Sequence, residues 1–366
     1  MAPVLRAIEE KSNLLEYKVC VTGQHREMLD QVLNLFNIET DYDLNIMKPQ
    51  QNLNDITANI ISAMKPVYDD FKPDLVLIHG DTTTSICVSL AAFYEKIDIG
   101  HVEAGLRTND LYSPWPEELN RRLNGVIAKY HYAPTERCRD NLILENVSAD
   151  SIIVTGNTVI DALKIILKRI DSDVVLSQQI NQRIIDLGFN HVNSEFILVT
   201  GHRRENFGEG FLNICQALKT LAIANPTLNI VYPVHLNPNV KVPVEKLLSG
   251  LPNVYLLDPV EYESFVFLMS KSYLVLTDSG GIQEEAPSMG KPVLVMRDTT
   301  ERPEAINAGT AKLVGTEPRA IQEEVQKLLD DKVEYQKMSK AQNPYGDGAS
   351  SDLIVKNIIE KFNLDN

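Results

Sequence analysis

Tyr273-Leu274-Val275-Leu276-Thr277-Asp278-Ser279-Gly280-Gly281-Ile282-Gln283-Glu284-Glu285 is the stretch that decides the fold. A short apolar run empties into Ser-Gly-Gly and then into a helix-like segment, a strand–turn–helix unit. The glycines let backbone approach a ligand, and N–H groups at a helix start attract an anion. Glu285 sits about one turn further in, where a carboxylate can accept hydrogen bonds from ribose hydroxyls. Ser279, Gly280, Gly281 and Glu285 together therefore suggest a nucleotide or a nucleotide-sugar. The alternative is a tight turn followed by a solvated Glu pair, and a short Gly motif alone does not separate the two.

The same unit recurs in both directions. Strands are expected at Glu16–Thr22, Asp74–His79, Asp98–Glu103, Tyr130–Ala133 and Ser151–Thr155, then at Phe196–Thr200, Asn229–Val234, Val254–Leu257, Tyr273–Thr277 and Pro292–Met296. Helices are expected between them, at His25–Phe36, Leu53–Phe71, Thr83–Glu95, Pro116–Lys129 and Val159–Ile170. This alternation predicts an α/β protein with two Rossmann-like, doubly wound domains facing a cleft. The expected domains are 1–157, with 346–366 packing back on it, and 158–345. Ligands then bind beyond the carboxyl ends of the strands. Ala2–Lys11 reads as a helix, so the first domain opens on a helix where such a domain ordinarily opens on a strand.

At 366 residues the chain is long for one core. Its hydrophobic content of 44% and charged content of 23% are those of a soluble globular protein. The formal charge of -15 opposes binding to a phosphate backbone, so no nucleic-acid partner is expected. Four scattered cysteines without a CxxC pair indicate reduced thiols and a cytoplasmic location. No metal-ligand spacing, membrane span or signal peptide is read.

Polar groups gather just after the strands. His79-Gly80-Asp81-Thr82 follows one strand, and Asp81 either caps the next helix or faces the ligand. Glu103 closes the next strand; it either faces a cleft or pairs with Arg107. Glu117 and Arg121 stand i, i+4 in Pro116-Glu117-Glu118-Leu119-Asn120-Arg121, the spacing of a surface ion pair. Gly201-His202-Arg203-Arg204 follows Phe196–Thr200 and reads as an acid with diphosphate-neutralising arginines, or as a basic loop. Arg302 could add a phosphate contact, and Phe265 either packs on a base or joins the core.

As a set, the motifs GQHREMLDQVL from Gly23, HGDTTTS from His79, GHVEAGLRT from Gly100, YSPWPEELNR from Tyr112, GNTVIDAL from Gly156, TGHRREN from Thr200, TDSGGIQEE from Thr277 and ERPEA from Glu301 resemble the non-hydrolysing UDP-N-acetylglucosamine 2-epimerases of the GT-B fold. The resemblance implies interconversion of UDP-GlcNAc and UDP-ManNAc for cell-envelope polysaccharides, with no cofactor. It implies catalytic roles for Asp81, Glu103, Glu117, Arg121 and His202, and UDP binding by Ser279, Gly280, Gly281, Glu285 and Arg302. It also implies a second UDP-GlcNAc as activator near Gln24, His25, Arg203 and His235, and a homodimer. Members of that family begin with an apolar strand and a GTRPE-type loop; Met1-Ala2-Pro3-Val4 matches the residues after them, so that strand is expected to be absent.

The C2 hydrogen of the sugar is not next to a carbonyl, so direct deprotonation is unfavourable. The resemblance implies elimination of UDP to 2-acetamidoglucal, then re-addition with the proton delivered to the other face. Competing readings are a hydrolysing epimerase that releases ManNAc and UDP, a glycosyltransferase of the same fold, and a non-catalytic nucleotide-sugar-binding protein.

Overall fold

The computed structural model describes residues 1–24, 26–48, 50–192 and 194–364, and the chain divides into two compact units. One comprises Met1–Ala162 and Tyr345–Asn366, the other Leu163–Pro344. Each is α/β, and every strand pairing in both is parallel.

The first unit holds β1 (Cys20–Val21), β2 (Tyr42–Asp43), β3 (Leu75–His79), β4 (Asp98–Val102), β5 (Tyr130–Ala133) and β6 (Ile152–Val154). β1 and β2 form a two-stranded sheet, separate from the sheet β3-β4-β5-β6. The strand expected over Glu16–Thr22 is thus only two residues long, and β2 was not anticipated because Tyr42–Asp43 carries no apolar run. The opening helix, Ala2–Glu9, packs on the last one, Ser350–Lys361. Val4, Ile8, Ile354 and Ile358 meet Val102 and Tyr132 there.

The second unit is one six-stranded sheet. Its strands are β7 (Phe196–Thr200), β8 (Asn229–Pro233), β9 (Val254–Leu257), β10 (Leu274–Thr277), β11 (Val293–Val295) and β12 (Ala311–Leu313). They lie in the order β12-β11-β10-β7-β8-β9. β12 is short and was missed in the sequence. Phe196, Ile197, Leu198 and Val199 of β7 are all fully buried, as are all four residues of β10. Such unbroken apolar strands are what helices on both sheet faces require. Phe211, Ile214 and Leu218 of the helix Glu209–Ala224 pack on Val199 and Leu276, each stabilising by about 1.5–3 kcal/mol. The chain builds outward from β7 through β8 to β9, returns to β10 on the other side of β7, and builds outward again. The order reverses between β7 and β10, so the loops after these two strands diverge around a crevice, the usual ligand position in open α/β sheets.

One glycine next to a strand end has a steric reason. Gly105 has φ +91, and a methyl group there would lie 2.1 Å from the Cys138 carbonyl oxygen. Gly23 has φ +73 but meets nothing nearer than 3.4 Å. Gly105→Ala should therefore destabilise by about 2–3 kcal/mol or more, beyond the αL cost alone. Gly23→Ala should lose less in urea denaturation followed by circular dichroism; equal losses would show that the Cys138 contact does not matter.

Candidate functional site

In the first unit the polar groups converge on the loop after β3. Thr82, not Asp81, caps the helix Thr83–Tyr94, accepting from the Ser85 N–H at 3.2 Å. That frees the Asp81 carboxylate, which takes the Arg121 guanidinium through Nη2 and through Nε at 3.1 Å. The Gly80 and Asp81 carbonyls are held from the helix Glu117–Ile127, by Asn124 Nδ2 at 3.4 Å and Asn120 Nδ2 at 2.9 Å. His101 Nε2 lies 2.8 Å from the same Gly80 carbonyl. Burial pushes the His101 ring down to about 3, so it is neutral and Nε2 carries the proton that the carbonyl accepts.

The spacing argument for Glu117 and Arg121 is corrected by this geometry. Arg121 pairs with Asp81 and with Glu118 at 3.2 Å, not with Glu117. Glu118 is wholly buried and was overlooked. It accepts from the Thr108 and Asn109 N–H groups at 3.0 and 3.1 Å, and from Arg122 at 3.1 Å. Burial raises its pKa, but these donors outweigh burial and bring it below the ordinary carboxylate value. The helix buries Glu118, Asn120, Arg121 and Asn124 and exposes Leu119, Leu123 and Val126, the reverse of an ordinary amphipathic surface helix. Glu117 is half-buried and makes no hydrogen bond or ion pair among the described residues.

Glu103 does not pair with Arg107, whose guanidinium is held by Glu145 at 2.7 and 2.8 Å. Glu103 adopts φ +65, a left-handed conformation costing a non-glycine residue about 1–3 kcal/mol. Its carboxylate accepts from Asn157 Nδ2 at 3.3 Å and lies 3.7 Å from His79 Nε2. Gln24 accepts from Thr84 Oγ1 at 2.9 Å, one helical turn from Asp81, and His25 lies outside the described residues.

In the second unit the crevice loops are tied together by Asp278, which follows β10 and is fully buried. Its carboxylate accepts from the N–H groups of His202, at 2.9 and 3.1 Å, and Arg203, at 2.9 Å, and from Asn206 Nδ2 at 3.3 Å. The loop after β7 is thereby fixed over the start of Ser279-Gly280-Gly281. A methyl group at Gly280 would lie 3.4 Å from Arg203 Nη2 and 3.7 Å from Arg302 Cζ, so two guanidinium groups flank this glycine. Gln283 ties Ser279 to the Arg302 loop, donating to the Ser279 carbonyl at 3.1 Å and accepting from Thr300 Oγ1 at 2.7 Å. Glu284 holds Arg302 Nε at 2.5 Å. The His202 ring stacks on His235 at 5.6 Å; burial lowers its pKa against the opposing pull of Asp278, so it is neutral at pH 7. Glu285 is buried with the Tyr262 hydroxyl on Oε1 at 2.5 Å, and Phe265 is half-buried one turn further along the Tyr262–Lys271 helix. Asp278, Glu284, Tyr262 and Gln283 went unread as site residues, although Asp278 carries the same signal as Glu103, a carboxylate at a strand end.

Among the described residues no group of three or more His, Cys, Asp or Glu side chains is placed to hold a metal ion. None of the described helices is long and apolar enough to cross a membrane.

Because Glu118 is buried among donors, Glu118→Ala should cost about 3–5 kcal/mol by urea denaturation. Glu136→Ala, at an exposed 3.3 Å pair with Arg139, should cost less than about 1 kcal/mol. The lowered pKa makes the Glu118 contribution present above the unfolded carboxylate range and lost as pH falls through its folded value, so the gap should narrow in acid. A gap that stays constant into acid would contradict an ionised Glu118.

A family profile described as UDP-N-acetylglucosamine 2-epimerase matches residues 6–359. The UDP-N-acetylglucosamine 2-epimerase of Salmonella typhimurium is 59% identical over 356 residues, 97% of this chain and 94% of that protein. The Campylobacter jejuni protein of the same name is 56% identical over 363 residues, 99% and 94% of the two chains. The crystal structure of UDP-GlcNAc 2-epimerase from Neisseria meningitidis bound to UDP-GlcNAc is 55% identical and superposes with a TM-score of 0.87, covering 98% of this chain and 96% of that one. Carboxylates at the strand ends of one α/β unit, an arginine-flanked Gly-Gly turn in the other, and these full-length likenesses together show that the chain belongs to the UDP-N-acetylglucosamine 2-epimerase family, enzymes of the GT-B fold.

Proposed function

We propose that the chain interconverts UDP-GlcNAc and UDP-ManNAc without releasing free sugar. The observation that carries this reading is the pair of guanidinium groups, Arg203 and Arg302, flanking Gly280 beside a buried carboxylate, Glu285. Two fixed cations and a flexible Gly-Gly backbone suit a diphosphate, and a carboxylate about one turn on suits a ribose diol. Arg203 then belongs with the diphosphate group rather than with a second ligand. Phe265, half-buried near Tyr262, supplies a face for the base. The Neisseria relative is bound to UDP-GlcNAc, the ligand this arrangement would take.

The reaction follows from the chemistry of C2. A base removes the C2 proton as the C1–O bond breaks; its electrons leave with the UDP oxygen, and the C2–H electrons form the C1=C2 bond of 2-acetamidoglucal. Arg203 and Arg302 stabilise the charge that grows on departing UDP, and neutral His202 can donate a hydrogen bond to it. Return of a proton to the opposite face of C2, with UDP adding back at C1, completes the inversion. Asp81, Glu103 and Glu117 are the proton carriers in this scheme. The Arg121 guanidinium fixes the direction of the Asp81 carboxylate, and the strained backbone of Glu103 aims its carboxylate at a fixed point.

The test is chromatography of nucleotide-sugars after incubation with UDP-GlcNAc. UDP-ManNAc should accumulate to equilibrium with no rise in free UDP beyond the trace intermediate. Steady release of ManNAc and UDP would instead establish hydrolysis. Asp81→Asn and Glu103→Gln should each lower kcat by at least about 10²-fold while UDP binding stays within about threefold. Near-normal turnover in both would sink the assignment of these carboxylates.

A further inference from the structure

Glu285 is 6% exposed, yet its two oxygens are in different situations. Oε1 accepts from the Tyr262 hydroxyl at 2.5 Å. Oε2 makes no hydrogen bond among the described residues and is not among the buried atoms left without a partner, so it reaches the surface. A carboxylate that is otherwise enclosed thus shows one oxygen outward. Tyr262 stands at the first turn of the helix Tyr262–Lys271 and is half-buried. A tyrosine so placed fixes the rotamer of its partner and stabilises the partner's charge.

We propose that Tyr262 is a positioning residue for nucleotide recognition: its hydroxyl occupies Oε1 of Glu285, fixes the carboxylate's orientation and aims Oε2 at the ribose diol. This inference rests on the UDP-binding reading above. The Tyr262–Glu285 pair, rather than Glu285 alone, sets the preference for a ribonucleotide over one that lacks the ribose hydroxyls.

The electrostatics give the sign of the effect. Burial pushes Glu285 up to about 7; the Tyr262 hydrogen bond works against burial, and the neighbouring Glu284 adds to it. Arg302 is occupied in part by Glu284. Only the ionised carboxylate accepts from both ribose hydroxyls at full strength. The ribose preference should therefore be complete above the Glu285 titration and fade as pH falls through about 7. Removing the Tyr262 hydroxyl removes a lowering influence, so the midpoint moves to higher pH.

The experiment is calorimetric binding of UDP and of 2′,3′-dideoxy-UDP to the full chain across the neutral range. The wild type should prefer UDP by about a hundredfold or more in alkali, the size of two hydrogen bonds to a charged acceptor. Tyr262→Phe should shift the midpoint of that preference to higher pH and reduce it several-fold near neutrality, with recovery in alkali. Glu285→Gln should show a small preference with no pH dependence. A merely structural role for Tyr262 would weaken both nucleotides equally and leave the midpoint in place, and that result overturns the inference. A wild-type chain that binds neither nucleotide overturns the UDP reading itself, and this inference with it.

Discussion

The buried carboxylate of Asp278 is the interaction on which the arrangement of the second unit depends. A carboxylate withdrawn from water must be met by donors, and here the main donors are two backbone amides and one side-chain amide from the loop after β7. The reversal of strand order between β7 and β10 brings the two loops side by side; Asp278 then locks one to the other. The register of Arg203 over Gly280 follows from that lock. Removing the charge would leave the His202 and Arg203 amides unanswered, and the cations beside the Gly-Gly turn would lose their fixed position.

Glu118 does the corresponding work in the first unit. It is buried on the helix Glu117–Ile127, fixes the Thr108–Asn109 turn, and orients Arg121, which in turn holds Asp81. Asn120 and Asn124 from the same helix secure the carbonyls on either side. One helix face thus positions the whole loop after β3. Polar residues tolerate such burial where their charges and N–H groups are answered, as those of Glu118, Arg121, Asn120 and the Asn124 Nδ2 are here, which explains why the face reads as a run of Glu, Asn and Arg rather than as apolar residues.

Much of this was legible in the chain. The long apolar strands and the turns that end them place β3 to β11 within a residue or two, because a strand covered on both faces has little else it can be. The short strands β2 and β12 were not legible: two or three residues held by tertiary pairing carry no periodic signal. Site residues next to glycines were readable as strand-end groups, and Asp278 was readable on the same grounds. Glu118 was not, since helical periodicity assigns Leu119, Leu123 and Val126 to the core and the structure places them outside. Spacing also gave Arg121 the wrong partner, because i, i+4 geometry is blind to Asp81, forty residues away in sequence.

In the proposed reaction the labour divides chemically: Arg203, Arg302 and Glu285 of one unit are assigned to UDP, and Asp81, Glu103 and Glu117 of the other to proton transfer. The central claim is that the C2 proton leaves the sugar and is replaced. Proton NMR of UDP-GlcNAc with the wild-type chain in D2O tests this most directly. The account predicts UDP-ManNAc carrying deuterium at C2. UDP-ManNAc that retains its original C2 proton would contradict it.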